Sequence, residues 1–150
     1  MEQRETDRGG GMEVFTEAWC TACRERLNAR EGYRTAAAGW ADTVVLVMTA
    51  DPAEGIETER AVWIDARDGV CRESRVATAA DRESASCVLQ ADPATWQRLL
   101  TGSVDPVQSL MTGRLRLTRG NLFALAKYAQ AAREMVLAAG EVGATLSPRG

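Results

Sequence analysis

The sequence predicts an α+β fold, with strands in antiparallel succession and helices grouped on one side. Three observations predict it. Helical periodicity occupies both ends of the chain, runs of β-branched and aliphatic residues fill the middle, and an Asp-Gly dipeptide joins two of those runs. At 150 residues, 45% hydrophobic and 26% charged, the chain has the composition of one globular domain with a sizeable core.

From the N-terminus, "MEQRETDRGGGMEV" is charged and glycine-rich, without the apolar centre of a secretory signal. Residues 1 to 11 read as a flexible tail, and Met12 is a second candidate start. Phe15, Trp19, Ala22, Cys23 and Leu27 recur at helical spacing, so 13 to 30 reads as the first helix, ending near Gly32, and "YRTAAAGW" as a helical turn before Trp40. "DTVVLVMTA" (42 to 50) is a strand buried on at least one face. "DPAEGIET" is a loop.

"ERAVWIDAR" and "VCRESRVAT" form a hairpin through Asp68-Gly69, a pair that tolerates the positive φ angles of a type I′ turn. That turn sets Asp65 opposite Arg72 and Ala66 opposite Cys71. "ESASCVLQA" (83 to 91) supplies a further strand. "DPATWQRLLTG" and "DPVQSLMTG" each open with an Asp cap and a Pro at the first helical position, and each closes at Gly. "RLRLT" (114 to 118) alternates, with Leu115 and Leu117 inward and Arg114 and Arg116 outward. "GNLFALAKYAQAAREMVLAAGEV" reads as one helix capped by Asn121, roughly 25–30 Å long if it runs to Gly140.

Several function classes fall on composition. The chain has no histidine, which removes the commonest general base and metal ligand. A net charge of -3, with Lys127 the only lysine, argues against a nucleic-acid partner. No apolar run reaches the roughly 20 residues needed to span a bilayer, and the expected location is the cytoplasm. "EAWCTACRER" has the W-C-x-x-C look of a thiol-redox site, but "MEVFTEA" before it is no strand and no Asp or Ser caps the helix. Cys20 and Cys23 therefore read as structural residues sharing one helical face. Cys71 and Cys87 are isolated, so no zinc site and no cofactor is expected.

The hairpin "AVWIDARDGVCRESRVAT", then "ADPATWQRLLTG", then "DPVQSLMTGRLRLTRGNLFALAKYAQ" resemble the sterol carrier protein type 2 family, most specifically from Asp105 to Lys127. The resemblance implies a five-stranded, mostly antiparallel sheet covered on one face by helices, spanning residues 12 to 143, with 144 to 150 a second tail. It also implies a tunnel for fatty acyl chains, sterols or other lipids, and a carrier or lipid-presenting role without catalytic residues. Two departures stand out: Arg119 is an extra residue before Gly120-Asn121, and "ATLSPRG" is no peroxisomal address.

Apolar positions matching that tunnel are Leu110, Met111, Leu115 and Leu117, with Leu122, Leu125, Ala126 and Ala129 at i, i+3, i+4, i+7 on the last helix. Trp63 and Trp96 belong near the cavity or in the core. Arg116 and Lys127 read as solvated charges with a head-group role as the alternative. Ten buried methylenes would contribute on the order of 8 kcal/mol, roughly micromolar binding before ordering costs, and broad selectivity. The expected partner is a fatty acid or other lipid, not nucleic acid. Transient membrane contact and a homodimer are both compatible with this reading, as is a scaffold of the same fold with a filled core.

Overall fold

The computed structural model describes residues 12 to 146. The tail assigned to residues 1 to 11, and residues 147 to 150, lie outside the described residues. Helix α1 spans Glu17–Asn28, α2 Glu31–Ala36, β1 Ala41–Met48, β2 Arg60–Arg67, β3 Val70–Val76, α3 Ala79–Ser84 and β4 Cys87–Ala91. There follow α4 Pro93–Leu100, α5 Pro106–Met111, β5 Arg116–Arg119, α6 Leu122–Lys127 and α7 Ala129–Glu141.

The five strands form one sheet in the order β3-β2-β1-β4-β5. Three neighbouring pairs are antiparallel, and β1 with β4 is parallel, from Val44 beside Cys87 to Met48 beside Ala91. The parallel pair exists because the β2–β3 hairpin and α3 intervene as a crossover between β1 and β4. Helices α1, α2, α4 and α5 all pack against α7. Val44, Leu46, Met48, Val62, Ile64 and Leu89 belong to the core clusters shared with these helices. Val45, Val47 and Val88 form a smaller cluster on the other face with Ala61, Trp63, Ala77 and Ala85. Alternation along each strand produces this division.

Local chemistry sets the element ends. Thr16 caps α1 by accepting from the backbone N–H of Trp19, so the helix begins at Glu17 rather than at residue 13. Phe15, at φ 63°, leaves the helical path so that its ring packs on Trp19 and Trp96. Thr78 and Asp81 close a reciprocal capping box, and this draws 79 to 84 into α3, leaving only Cys87–Ala91 of the expected strand. Asp92 and Asp105 cap α4 and α5 as their Asp-Pro openings predict.

The hairpin turns on Asp68 and Gly69, at φ 49° and 84°, the left-handed pair expected of Asp-Gly. A side chain at Gly69 would collide with the carbonyl of Arg34, so glycine is required there twice over. Ala66 does face Cys71, but a bulge between Asp65 and Ala66 sets Asp65 opposite Glu73, not Arg72. In β5 the strand begins at Arg116, and Leu117 pairs with Leu89 while Arg119 pairs with Val88. The extra residue expected at Arg119 is thus absorbed as a bulge one position earlier.

The last helix is not continuous. Tyr128, at φ -112° and ψ 35°, separates α6 from α7, and its ring stacks on Trp40 at 5.7 Å between centroids. Asn121 caps α6 as predicted, accepting from Phe123 and Ala124. The chain also remains packed past residue 143. Thr145 bridges Glu13, Leu146 is buried, and Arg60 reaches the Glu13 carboxylate and the carbonyls of Val14 and Leu146. Ala144 to Leu146 therefore belong to the folded unit, held by a cation on β2 that the sequence reading left unassigned.

Candidate functional site

Between the sheet and the helices lies a cavity of about 90 Å³. The sheet contributes Val44, Leu46, Ile64 and Leu89 to its wall, α1 contributes Trp19, Cys23, Arg24 and Leu27, and α4 contributes Trp96, Leu99 and Leu100. Leu115, Leu125 of α6, and Ala132, Met135, Val136 and Ala139 of α7 complete much of the rest. The wall is almost wholly apolar, and Arg24 is its only charged residue among the described residues.

A second, open cleft of about 640 Å³ lies beside it, bordered by polar groups of Glu54, Gln97, Thr101 and Thr145. Trp19, Leu100 and Ala139 line both spaces, so these three residues form the partition between them. The partition carries an unusual polar group: Trp19 is 3% exposed, and its buried Nε1 has no hydrogen-bond partner. A buried unpaired donor is costly.

Helix α1 is held over β3 by an unusual rung. The Asn28 side-chain amide donates to the Cys71 carbonyl at 2.9 Å and accepts from the Cys71 N–H at 2.8 Å, covering an edge of the sheet. Arg24 adds a bond to the same carbonyl at 3.3 Å. The thiols nearby are not poised as nucleophiles. Burial pushes Cys20 and Cys71 up to about 11 and raises Cys23 further in the same direction. Cys20 does lie in the first turn of α1, closer to the helix start than its spacing suggested, but burial outweighs that position.

Of the eight positions read from sequence, the structure brings Leu115 and Leu125 into the cavity wall. Leu110 and Leu117 are half-buried in the core around it, and Ala129 is half-buried without reaching the wall. Met111, Leu122 and Ala126 are exposed. Met111 ends α5, a different helix, whereas Leu122 and Ala126 lie to one side of the wall-facing stripe, which runs from Leu125 to Ala132, Met135, Val136 and Ala139. Ala132, Met135, Val136 and Ala139 have the same i, i+3, i+4, i+7 spacing ten residues further on, so the signal was present but its phase was not. Trp96 lines the cavity, whereas Trp63 lies on the opposite face of the sheet under the Arg75 guanidinium, 4.2 Å from its ring. Arg116 and Lys127 are exposed and outside the wall.

The architecture is an α+β fold, a mixed five-stranded sheet roofed on one face by helices over an apolar space. The SCP-2 sterol transfer family model matches residues 24–133, and the chain belongs to that family, which implies lipid binding or transfer in general terms. It is 42% identical to a protein solved as the crystal structure of sterol carrier protein 2, over 86% of this chain and 98% of that one, with a TM-score of 0.78. A protein from Thermus thermophilus, described as possibly a sterol carrier protein, is 43% identical over 90% of this chain and 92% of its own, also at 0.78. Sterol carrier protein 2 from Yarrowia lipolytica, at 18% identity over 79% and 87% of the two chains and a TM-score of 0.52, shares the fold. No curated protein matches the chain. Among the described residues no helix is long and apolar enough to cross a membrane.

Proposed function

We propose that the chain binds a long apolar ligand without covalent chemistry, a fatty acid, acyl lipid or sterol-like molecule, and carries or presents it in the cytoplasm. The observation that carries this reading is the partition of Trp19, Leu100 and Ala139 between an apolar internal cavity and an open cleft. The cleft falls within the roughly 300–1,000 Å³ range of ligand pockets, and the cavity behind it offers an apolar end for a chain. The ligand enters from the cleft, displaces the partition and reaches the core, with a polar group near the unpaired Trp19 Nε1. The four titratable thiols take no part.

The small volume of the apolar cavity favours a second reading. At about 90 Å³ it is far smaller than the roughly 300–1,000 Å³ of ligand pockets, so a scaffold with a nearly filled core is the competing function. Native mass spectrometry of protein purified from cells, followed by denaturing extraction, separates the two. A mass excess that extracts as a lipid supports the carrier, and a bare chain that takes up no fatty acid from a panel supports the scaffold. Ala139→Leu is the matching variant. Its three added carbons crowd the wall shared by cavity and cleft and should abolish uptake in a folded protein.

A further inference from the structure

The outer side of α6 is apolar, exposed and set in a basic surround. Phe123 is 87% exposed, Leu122 54% and Met111 82%, so three of the five large exposed hydrophobics among the described residues fall between 111 and 123. Scattered single apolar residues need no explanation, but this concentration does. Within the same stretch the charge is of one sign. The 28 residues from 106 to 133 hold Arg114, Arg116, Arg119, Lys127 and Arg133 and no carboxylate, in a chain whose net charge is -3.

Most of that charge is uncompensated. Arg133 pairs with Asp105, and Arg114 faces Asp92. Arg116, Arg119 and Lys127 have no carboxylate within ion-pairing distance among the described residues, although Arg119 also donates to the Ala85 carbonyl at 2.7 Å. Arg119 precedes α6 by a glycine and an asparagine, and Lys127 ends it, so cations bracket Leu122 and Phe123. A second copy of this chain fits poorly, since a two-fold face would set these cations against themselves.

We propose that α6 docks on an anionic lipid surface, with Leu122 and Phe123 entering the acyl boundary and Arg116, Arg119 and Lys127 meeting the head groups. The same six-residue helix sends Leu125 into the cavity wall and has a joint at each end, Gly120 at φ 118° and the break at Tyr128. Docking draws Leu125 outward and enlarges the cavity that the ligand reaches from the cleft. This last step rests on the carrier reading, and the docking itself does not.

The test is co-sedimentation of the full chain with vesicles made of equal parts phosphatidylcholine and phosphatidylglycerol, and with vesicles of phosphatidylcholine alone. Binding to the mixed vesicles that weakens with salt is expected, with little to the neutral ones. Phe123→Asp and the pair Arg116→Gln with Lys127→Gln should each lower partitioning on the order of tenfold, with an unchanged thermal melt. Val70→Asp, at an exposed site on the hairpin, should leave it unchanged. No binding, equal binding to both vesicles, or full binding by Phe123→Asp overturns the proposal. So does sedimentation of the wild type as a dimer that Phe123→Asp dissolves, which assigns the patch to a second copy. Fatty-acid uptake without vesicles is scored separately: a chain that docks but never loads overturns the carrier reading alone, and one that loads but never docks overturns this one alone.

Discussion

Trp19 and Trp96 both pack against the ring of Phe15, at 5.1 and 5.3 Å between centroids, yet only Trp96 has its indole N–H satisfied. Trp96 Nε1 donates to the Val47 carbonyl at 2.9 Å, tying α4 to the central strand. Trp19 Nε1 is buried with no partner. Two chemically identical side chains therefore have different roles: one anchors the cavity wall, and the other leaves a donor free in it.

That difference predicts different mutational costs. Trp96→Phe loses a buried hydrogen bond as well as volume, whereas Trp19→Phe loses volume but also removes an unsatisfied donor. Trp96→Phe should be the more destabilising by about 1–2 kcal/mol in urea unfolding. Equal costs would show that the Trp19 N–H is satisfied in solution.

Gly140 lies inside α7, where alanine would ordinarily stabilise by roughly 1 kcal/mol. Here a Cβ would run into the carbonyl of Leu100, on the partition between cavity and cleft. Gly140→Ala should therefore destabilise, by about 1–3 kcal/mol, and lower the melting temperature. A raised melting temperature would mean that α7 and α4 do not approach so closely.

Asn28→Ala removes two hydrogen bonds to the backbone of Cys71 on edge strand β3. The expected cost is about 1–3 kcal/mol, with faster amide exchange at Cys71 than in the wild type. Unchanged exchange there would remove the side chain from its role as a strand cover.

The buried thiols give the protein a limit at alkaline pH. Burial raises Cys20, Cys71 and Cys87 from an ordinary 9.0 to about 11. The native state thus holds protons that the unfolded chain gives up. The stabilisation is complete below pH 9 and is lost as pH rises from there through 11. Urea midpoints should fall steeply over that window, and less steeply in Cys87→Ala. A flat profile would show the thiols to be open to water.

Much of the fold was legible because its signals are local. Asp68-Gly69, the two Asp-Pro openings and Asn121 each act within a few residues, and each forms the turn or cap its chemistry predicts. The Thr78–Asp81 box is as local, yet the β-type residues after it favour a strand reading that the capped helix overrides. The cavity wall was less legible. Leu115 and Leu125 do line it, but Met111 and Leu122 have the same apolar character and are exposed.

By itself the sequence determined the class of fold, the hairpin and its turn, the capped short helices, and the absence of histidine chemistry. Periodicity and capping depend on neighbours in the chain, so they survive without a structure. Only the tertiary structure decided where the last helix breaks, because Tyr128 is fixed by stacking on Trp40, 88 positions earlier in the chain. Packing also decided which apolar residues of this segment face the cavity, Leu125, Ala132 and Val136 among them, and which are left outside, as Leu122 and Phe123 are. The partition of Trp19, Leu100 and Ala139 likewise draws on α1, α4 and α7, three elements far apart in sequence, and no local pattern encodes their meeting.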